Sequence, residues 1–84
     1  MLSKTRDRAL FVASGLPSLP ADKVYELWTV SGKPVPAGTF TSSGSASVFL
    51  PGAALTANSV ALTVEPKGGS THPTTTPILA LPLT

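Results

Sequence analysis

Hydrophobic positions recur in short runs that are separated by segments rich in proline and glycine. The runs are rich in Val, Leu, Phe and Thr, which suit a pleated, half-buried surface, and none is long enough for a stable helix. They predict strands at residues 9–14, 23–30, 33–40, 46–50, 59–65 and 78–83. A single helical or 3₁₀ turn is predicted at residues 53–55. Short strands with turn signals every eight to twelve residues indicate an antiparallel sandwich or small barrel. We therefore predict an all-β fold, an antiparallel β-sandwich of about six short strands.

The strand at 23–30 differs from the others because both of its faces are apolar. Tyr25 and Leu27 point to one side, and Trp28 and Val30 point to the other with Glu26. A strand of this kind has to be covered on both faces. One cover is the opposite sheet, and the second is a loop, a neighbouring segment or another molecule.

Two other strands carry informative patterns. In the strand at 59–65, Val60, Leu62 and Val64 alternate with smaller or polar residues, which predicts one buried face. The strand at 33–40 contains Pro34 and Pro36, which cannot donate to a ladder, so we predict that it lies at an edge of its sheet or has only a short paired portion.

Charge is concentrated at the start of the chain. The net charge of +2 comes from Lys4, Arg6 and Arg8 against Asp7, while the remaining charges balance. We therefore divide the chain into a basic N-terminal stub at residues 1–7 and a β-sandwich domain at residues 8–84. A signal peptide is the alternative interpretation of this N-terminal segment. However, Asp7 interrupts its basic part, which favours a strand preceded by charged residues.

The overall composition bounds the classes of function. Without a basic patch interleaved with aromatics, nucleic-acid binding is not expected, and no apolar run is long enough to span a membrane. Charged residues make up 12% of the chain, against roughly 25% in an ordinary soluble domain. Cysteine is absent. This composition suits an extracytoplasmic module, in the cell envelope or secreted, without direct membrane contact.

The stretch "VEPKGGSTHPTTTPIL" holds the single histidine, an acid and a double glycine. Catalysis by His72 would require a nucleophile and an orienting acid nearby, and no motif spacing supports either. A turn accounts for the stretch: Pro66 stops a strand, Gly68 and Gly69 permit positive φ, and prolines hold an extended return. We predict that His72 is an exposed loop residue, and that the protein is not an enzyme.

The remaining candidate sites are weaker still. Glu26 and Glu65 could supply a carboxylate pair for glycoside chemistry, but we predict that both lie on solvated strand edges. One histidine and four scattered carboxylates do not form a usual metal-ligand set, so neither a metal nor a cofactor is predicted. Tyr25 and Trp28 could form a stacking platform, although a central tryptophan in a small domain is more often part of the core.

Four phrases, "SGLPSLPA", "YELW", "PAGTF" and "VEPKGGSTHPTTTPI", resemble in their order and spacing the C-terminal, extracytoplasmic domain of the anti-sigma-K factor family of bacteria. The resemblance implies a β-sandwich that forms the outer part of a single-pass membrane protein. The cytoplasmic segment of such a protein holds a sigma factor inactive, and proteolysis releases that factor. Family domains are also expected to begin with one or two further strands, which leaves open whether this chain is missing an N-terminal edge strand.

Two functions follow as hypotheses. In the first, the chain is a regulatory module that acts through a protein partner, and its contact surface includes Tyr25, Trp28 and Val30. In the second, it is a small structural subunit that self-assembles into a homo-oligomer through open sheet edges or strand exchange.

Overall fold

The structure is a computed structural model that describes residues 2–4, 9–41, 44–50 and 57–82. The helical turn predicted at residues 53–55 lies outside these ranges. The described residues form seven strands and no helix. The strands are β1 (Leu2–Lys4), β2 (Ala9–Leu16), β3 (Lys23–Ser31), β4 (Lys33–Phe40), β5 (Gly44–Phe49), β6 (Ser59–Pro66) and β7 (Leu79–Pro82).

The strands form two antiparallel sheets, which confirms the predicted all-β sandwich. One sheet has the order β1-β2-β5 and the other has the order β4-β3-β6-β7. Six strands correspond to the six predicted runs. The seventh, β1, was not expected from the sequence: it lies within residues 1–7 and pairs Leu2 with Phe11 of β2.

The hydrophobic core lies between the two sheets. Phe11 of β2 faces Tyr25 and Leu27 of β3 and Leu62 of β6, and each of these side chains is almost completely buried. Leu27 stands directly opposite Leu62 in the β3–β6 ladder, so the apolar faces predicted for the two strands form one continuous surface. Phe40 of β4 closes one side of the core, and its ring stacks on Tyr25 at 5.4 Å.

The edge position predicted for the proline-containing strand is confirmed. Among the strands that the structure describes, β4 pairs only with β3 and forms one edge of the four-stranded sheet. A register shift between Leu27 and Trp28 accommodates an extra residue in β4 beside Gly38, whose φ is +133°. An edge is where the missing donors of Pro34 and Pro36 cost least, because only one side of the strand has to pair.

The second face of β3 is covered by the chain itself. Residues 67–78, which we call the cap loop, connect β6 to β7 without regular secondary structure. The loop starts with a turn in which the Gly69 N–H donates to the Pro66 carbonyl, and Gly68 and Gly69 both have positive φ, as predicted. It then crosses the face of the sheet that carries Glu26 and Glu65, to which its residues are hydrogen-bonded. The loop is therefore the predicted cover at this end of β3.

Candidate functional site

The side chain of Glu65 lies near the end of β6 and is fully buried. It accepts hydrogen bonds from the Thr63 hydroxyl at 2.6 Å and from the Ser70 hydroxyl at 2.9 Å. The Thr74 backbone N–H and the Thr74 hydroxyl also donate to it. Both oxygens of this carboxylate are thus engaged, and two of the three residues that donate belong to the cap loop. One acid therefore joins the sheet to the loop.

A continuous hydrogen-bonded chain leads from Trp28 to Glu65. The Trp28 indole Nε1–H donates to the Thr63 hydroxyl at 2.8 Å, and that hydroxyl donates its own proton to Glu65 Oε2 at 2.6 Å. An indole can only donate, and a hydroxyl has one proton to give. The direction of the chain is therefore fixed, and it requires an acceptor at Glu65 Oε2.

A second carboxylate, Glu26 on β3, lies beside this network and is 3% exposed. It stands opposite Thr63 in the β3–β6 ladder, and its Oε1 accepts the backbone N–H of Ser70 at 2.8 Å. The cap loop approaches closely here: a Cβ on Gly69 would lie 3.2 Å from one Glu26 oxygen and 3.0 Å from the Thr39 methyl group. Only glycine fits this position without displacement of a neighbour.

The environments of the two acids shift their pKa values in opposite directions. Burial raises the pKa of Glu26 above its ordinary value of 4.5, and the charge of Glu65 raises it further, while the hydrogen bond from Ser70 partly opposes both. Burial also acts to raise the pKa of Glu65, but hydrogen bonds from Thr63, Thr74 and Ser70 outweigh it and leave that pKa below 4.5. At neutral pH, Glu65 is the charged partner on which the network depends.

The prediction that Glu26 and Glu65 lie on solvated strand edges is wrong. Alternation along β6 places Glu65 on the same face as Thr63, away from the core, which ordinarily means solvent. The cap loop covers this face instead, and its hydroxyl and N–H groups replace the hydrogen bonds that water would have made. The sequence signal is the hydroxyl-rich segment that follows the strand.

The arrangement is not an accessible catalytic pair. Each carboxylate lies under the cap loop, and His72 is exposed, with its Nδ1 3.4 Å from the Thr71 hydroxyl. Within the described ranges, no group of three or more His, Asp or Glu residues could hold a metal ion. The contacts present bind a loop to a sheet.

The predicted contact surface is largely internal. Tyr25 is 1% exposed, and its hydroxyl donates to the Pro17 carbonyl at 2.6 Å. Trp28 is completely buried, and Val30 is half-buried. The rings of Tyr25 and Trp28 therefore present no stacking platform, because one packs between the sheets and the other belongs to the Glu65 network.

One open groove lies beside β2 and has a volume of about 340 Å³. Val12, Ala13, Ser14 and Leu16 line it from β2, and Leu79 lines it from β7. Among the described residues that line the groove, Ser14 supplies the single side-chain hydroxyl. Ligand sites usually combine an apolar wall with several converging polar groups, and this described part of the lining does not have that combination.

Comparison with known proteins agrees with this architecture. The family described as anti-sigma-K factor rskA, C-terminal, matches residues 1–78. The chain belongs to this family. The match includes β1 to β6 and the cap loop.

Two curated proteins have sequences similar to that of this chain. The anti-sigma-K factor RskA of Mycobacterium ulcerans (strain Agy99) is 37% identical over 89 residues, which cover 99% of this chain and 37% of that protein. An uncharacterized protein in the phr 5′ region of Streptomyces griseus is 38% identical over 85 residues, which cover 93% of this chain and 34% of that protein. The chain thus spans about a third of the length of these relatives.

No solved structure shows a significant match. A search of the described ranges for a helix with the length and hydropathy needed to cross a membrane finds none.

Proposed function

We propose that this domain is the extracytoplasmic regulatory module of an anti-sigma factor. In this role it acts through protein contacts and has no enzymatic activity of its own. Its folded state controls proteolysis of the parent protein, and proteolysis in turn controls release of the sigma factor. The match to the anti-sigma-K factor C-terminal family over residues 1–78 carries the proposal.

The geometry is consistent with a domain that acts by being folded. Its two perturbed carboxylates, Glu26 and Glu65, are covered by the cap loop and used in hydrogen bonds, and His72 is exposed. A catalytic acid or base has to reach its substrate directly or through one water molecule. Buried acids that hold a loop closed contribute to compactness, and a compact chain resists proteases because cleavage requires local opening.

An extracytoplasmic location is part of the proposal. The charged fraction of 12% and the many Ser and Thr residues support it. Fusion of the full reading frame to alkaline phosphatase, which is active only outside the cytoplasm, tests the location directly. An inactive fusion at this domain would contradict it.

Regulation is tested in the full-length parent protein with a reporter gene that depends on the cognate sigma factor. Leu62 is completely buried in the core, so Leu62→Ala should destabilise the domain by about 2–5 kcal/mol. The expected result is faster cleavage of the parent protein and a higher reporter signal. The exposed substitution His72→Ala is the matched control and should leave both unchanged. A reporter signal that stays at the wild-type level when Leu62→Ala unfolds the domain would refute the regulatory role.

Self-assembly through sheet edges is a second candidate, supported by one observation. Among the described strands, β5 lies at an edge of its sheet and contains neither proline nor a charged residue, and Phe49 at its end is 64% exposed. Proline and charged residues are two of the devices that keep edge strands from pairing with another chain. The edges of the other sheet differ, because β4 contains Pro34 and Pro36 and β7 ends at Pro82. Light scattering at high protein concentration tests this candidate, and a strict monomer would refute it.

A further inference from the structure

The middle of the cap loop is bound to the sheet mainly through one buried acid, Glu65. Glu65 receives two side-chain hydrogen bonds from the loop, from Ser70 and Thr74, in addition to the Thr74 backbone N–H. A separate bond from the Thr75 hydroxyl to the Val64 carbonyl is exposed to solvent, so it competes with water.

Backbone hydrogen bonds hold the two ends of the loop, from the Lys67 N–H to the Asp22 carbonyl and from the Ile78 N–H to the Leu62 carbonyl. Between these ends, the Ser70 N–H binds Glu26 and every other buried hydrogen bond to the sheet is with Glu65. The middle of the loop, residues 70–76, therefore depends mainly on Glu65.

We propose that the cap loop is an acid-sensitive latch: protonation of Glu65 releases the middle of the loop, residues 70–76, from the sheet while its two ends and the core between the two sheets remain in place. This inference goes beyond the proposed regulatory function and does not depend on it. It concerns a conformational change that the domain makes by itself.

The donors around Glu65 explain why its protonation has this effect. The charged form accepts hydrogen bonds from Thr63, Ser70 and Thr74 at the same time. A protonated acid has its own O–H to donate and accepts more weakly. The donors to Glu65 Oε1 come from the cap loop, from Ser70 and Thr74, whereas Thr63 donates its one proton to Oε2. A proton on Oε1 therefore meets groups that are already donating to it. At least one hydrogen bond between the loop and Glu65 must then break or reverse.

The release is local because the polar contacts and the core lie on opposite faces of the sheet. Leu27 and Leu62 pack between the two sheets, whereas Glu65 and Thr63 face the cap loop. Loss of the loop contacts leaves the apolar surface between the sheets intact. The middle of the cap loop is held by a few polar contacts and its residues 74–76 are exposed, so it should open at a lower free energy than the core.

Other charged groups near the network act in a defined order. Glu26 on β3 faces it, and its raised pKa means that it takes up a proton before Glu65 as the pH falls. Neutral Glu26 still has an oxygen that accepts the Ser70 N–H, and it no longer repels Glu65, so the loop stays bound at this stage. Release follows only when Glu65 takes up a proton, which its lowered pKa places below pH 4.5.

The remaining charged groups are peripheral to the buried acids. Lys67 and His72 belong to the loop and are exposed. Lys23 stands opposite Pro66 at the end of the ladder and is half-buried. Asp22 contributes its backbone carbonyl, which accepts the N–H of Lys67.

Trp28 provides a unique probe, because it is the single tryptophan of the chain and its indole N–H is linked to Glu65 through Thr63. Nuclear magnetic resonance of the ¹⁵N-labelled domain between pH 7 and pH 3 follows this indole and the backbone amides. We expect a step in the indole shift with a midpoint below pH 4.5. Protection against hydrogen exchange at Ser70 and Thr74 should fall at least tenfold over the same range, while Leu62 stays protected.

Four variants distinguish the protonation of Glu65 from the titration of other groups. Glu65→Gln should remove the acid step and leave the loop amides poorly protected at pH 7. Thr74→Val should move the step to higher pH, because Glu65 loses a donor that favours its charged form and its pKa therefore rises. Thr74 is an exposed residue, so the loss of packing should be small. This variant leaves the sheet untouched, so it tests the latch even if Glu65→Gln does not fold. Thr76→Val and His72→Ala, both exposed, should leave the step at the wild-type position.

Three results would overturn the inference. The first is loss of protection at Leu62 together with the loop amides, which would mean global acid unfolding. The second is an unshifted step in Thr74→Val. The third is an indole signal that shows no step down to pH 3.

Discussion

Replacing Thr63 by valine is the most direct test of the buried network. Valine keeps the shape of the side chain and removes the hydroxyl through which Trp28 and Glu65 are linked. Loss of the bond to the charged Glu65 should cost about 1.5–3 kcal/mol, and the unpaired buried indole N–H should cost about 1–3 kcal/mol more. The additional buried methyl group offsets roughly 0.8 kcal/mol. The net loss is about 2–5 kcal/mol in a domain whose total stability is about 4–12 kcal/mol.

The free energy of unfolding is measured by urea unfolding, followed by Trp28 fluorescence at pH 7. The Tm is measured by thermal unfolding, followed by circular dichroism at the same pH. For a domain of this size each kcal/mol corresponds to roughly 4–8 °C in Tm, so Thr63→Val should melt at least 8 °C below the wild type. Thr76→Val makes the same replacement at an exposed position and should stay within about 0.5 kcal/mol of the wild type. Equal stability of the two variants would refute the reasoning, because it would mean that the hydrogen bonds of the Thr63 hydroxyl do not contribute to the free energy of unfolding.

Three further predictions concern the loop, the buried ring and pH. Gly69→Ala should cost more than Gly68→Ala, measured by chemical unfolding: both positions have positive φ, which costs roughly 1–2 kcal/mol for alanine, but only at Gly69 would the added Cβ meet the Glu26 carboxylate. Trp28→Ala should lower the free energy of unfolding by about 3–5 kcal/mol, measured by urea unfolding followed by circular dichroism, whereas an unchanged free energy would contradict the burial of the ring. Stability should rise as the pH falls through the raised pKa of Glu26 and then fall below pH 4.5, where Glu65 loses its charge. The rise should be absent in Glu26→Gln, and a wild-type stability that falls steadily from pH 7 would be inconsistent with the raised pKa.

The strands were predictable because their signals are local. Alternation of Val60, Leu62 and Val64 places β6 with one face in the core, and the structure has that face packed against β2 and β3. Pro34 and Pro36 likewise restrict β4 to an edge through their own chemistry. β1 was missed because its three residues carry no run of alternating hydrophobicity, and its pairing with β2 is a property of the hairpin as a whole.

The buried acids were not predictable by the same reasoning, because their burial depends on residues distant in sequence. Glu26 is covered by Ser70, 44 positions away, and Glu65 is held by Thr74 across the turn. A charged residue at a strand end ordinarily faces water, since burial without hydrogen-bond partners is costly. The donors come from a loop whose composition predicts a turn but whose path over the sheet is set by Gly69 and its close approach to Glu26.

The two apolar faces of β3 now have different physical explanations. Tyr25 and Leu27 are buried by another sheet, which is ordinary sandwich packing. Trp28 is buried on the opposite face, where its indole begins the chain of hydrogen bonds that ends at Glu65. Among the described residues, the core between the two sheets contains no carboxylate or histidine, so it responds weakly to acid, whereas the second face is held by a carboxylate. The domain therefore combines a core that is insensitive to acid with a cap loop whose attachment to the sheet depends on the protonation state of Glu65.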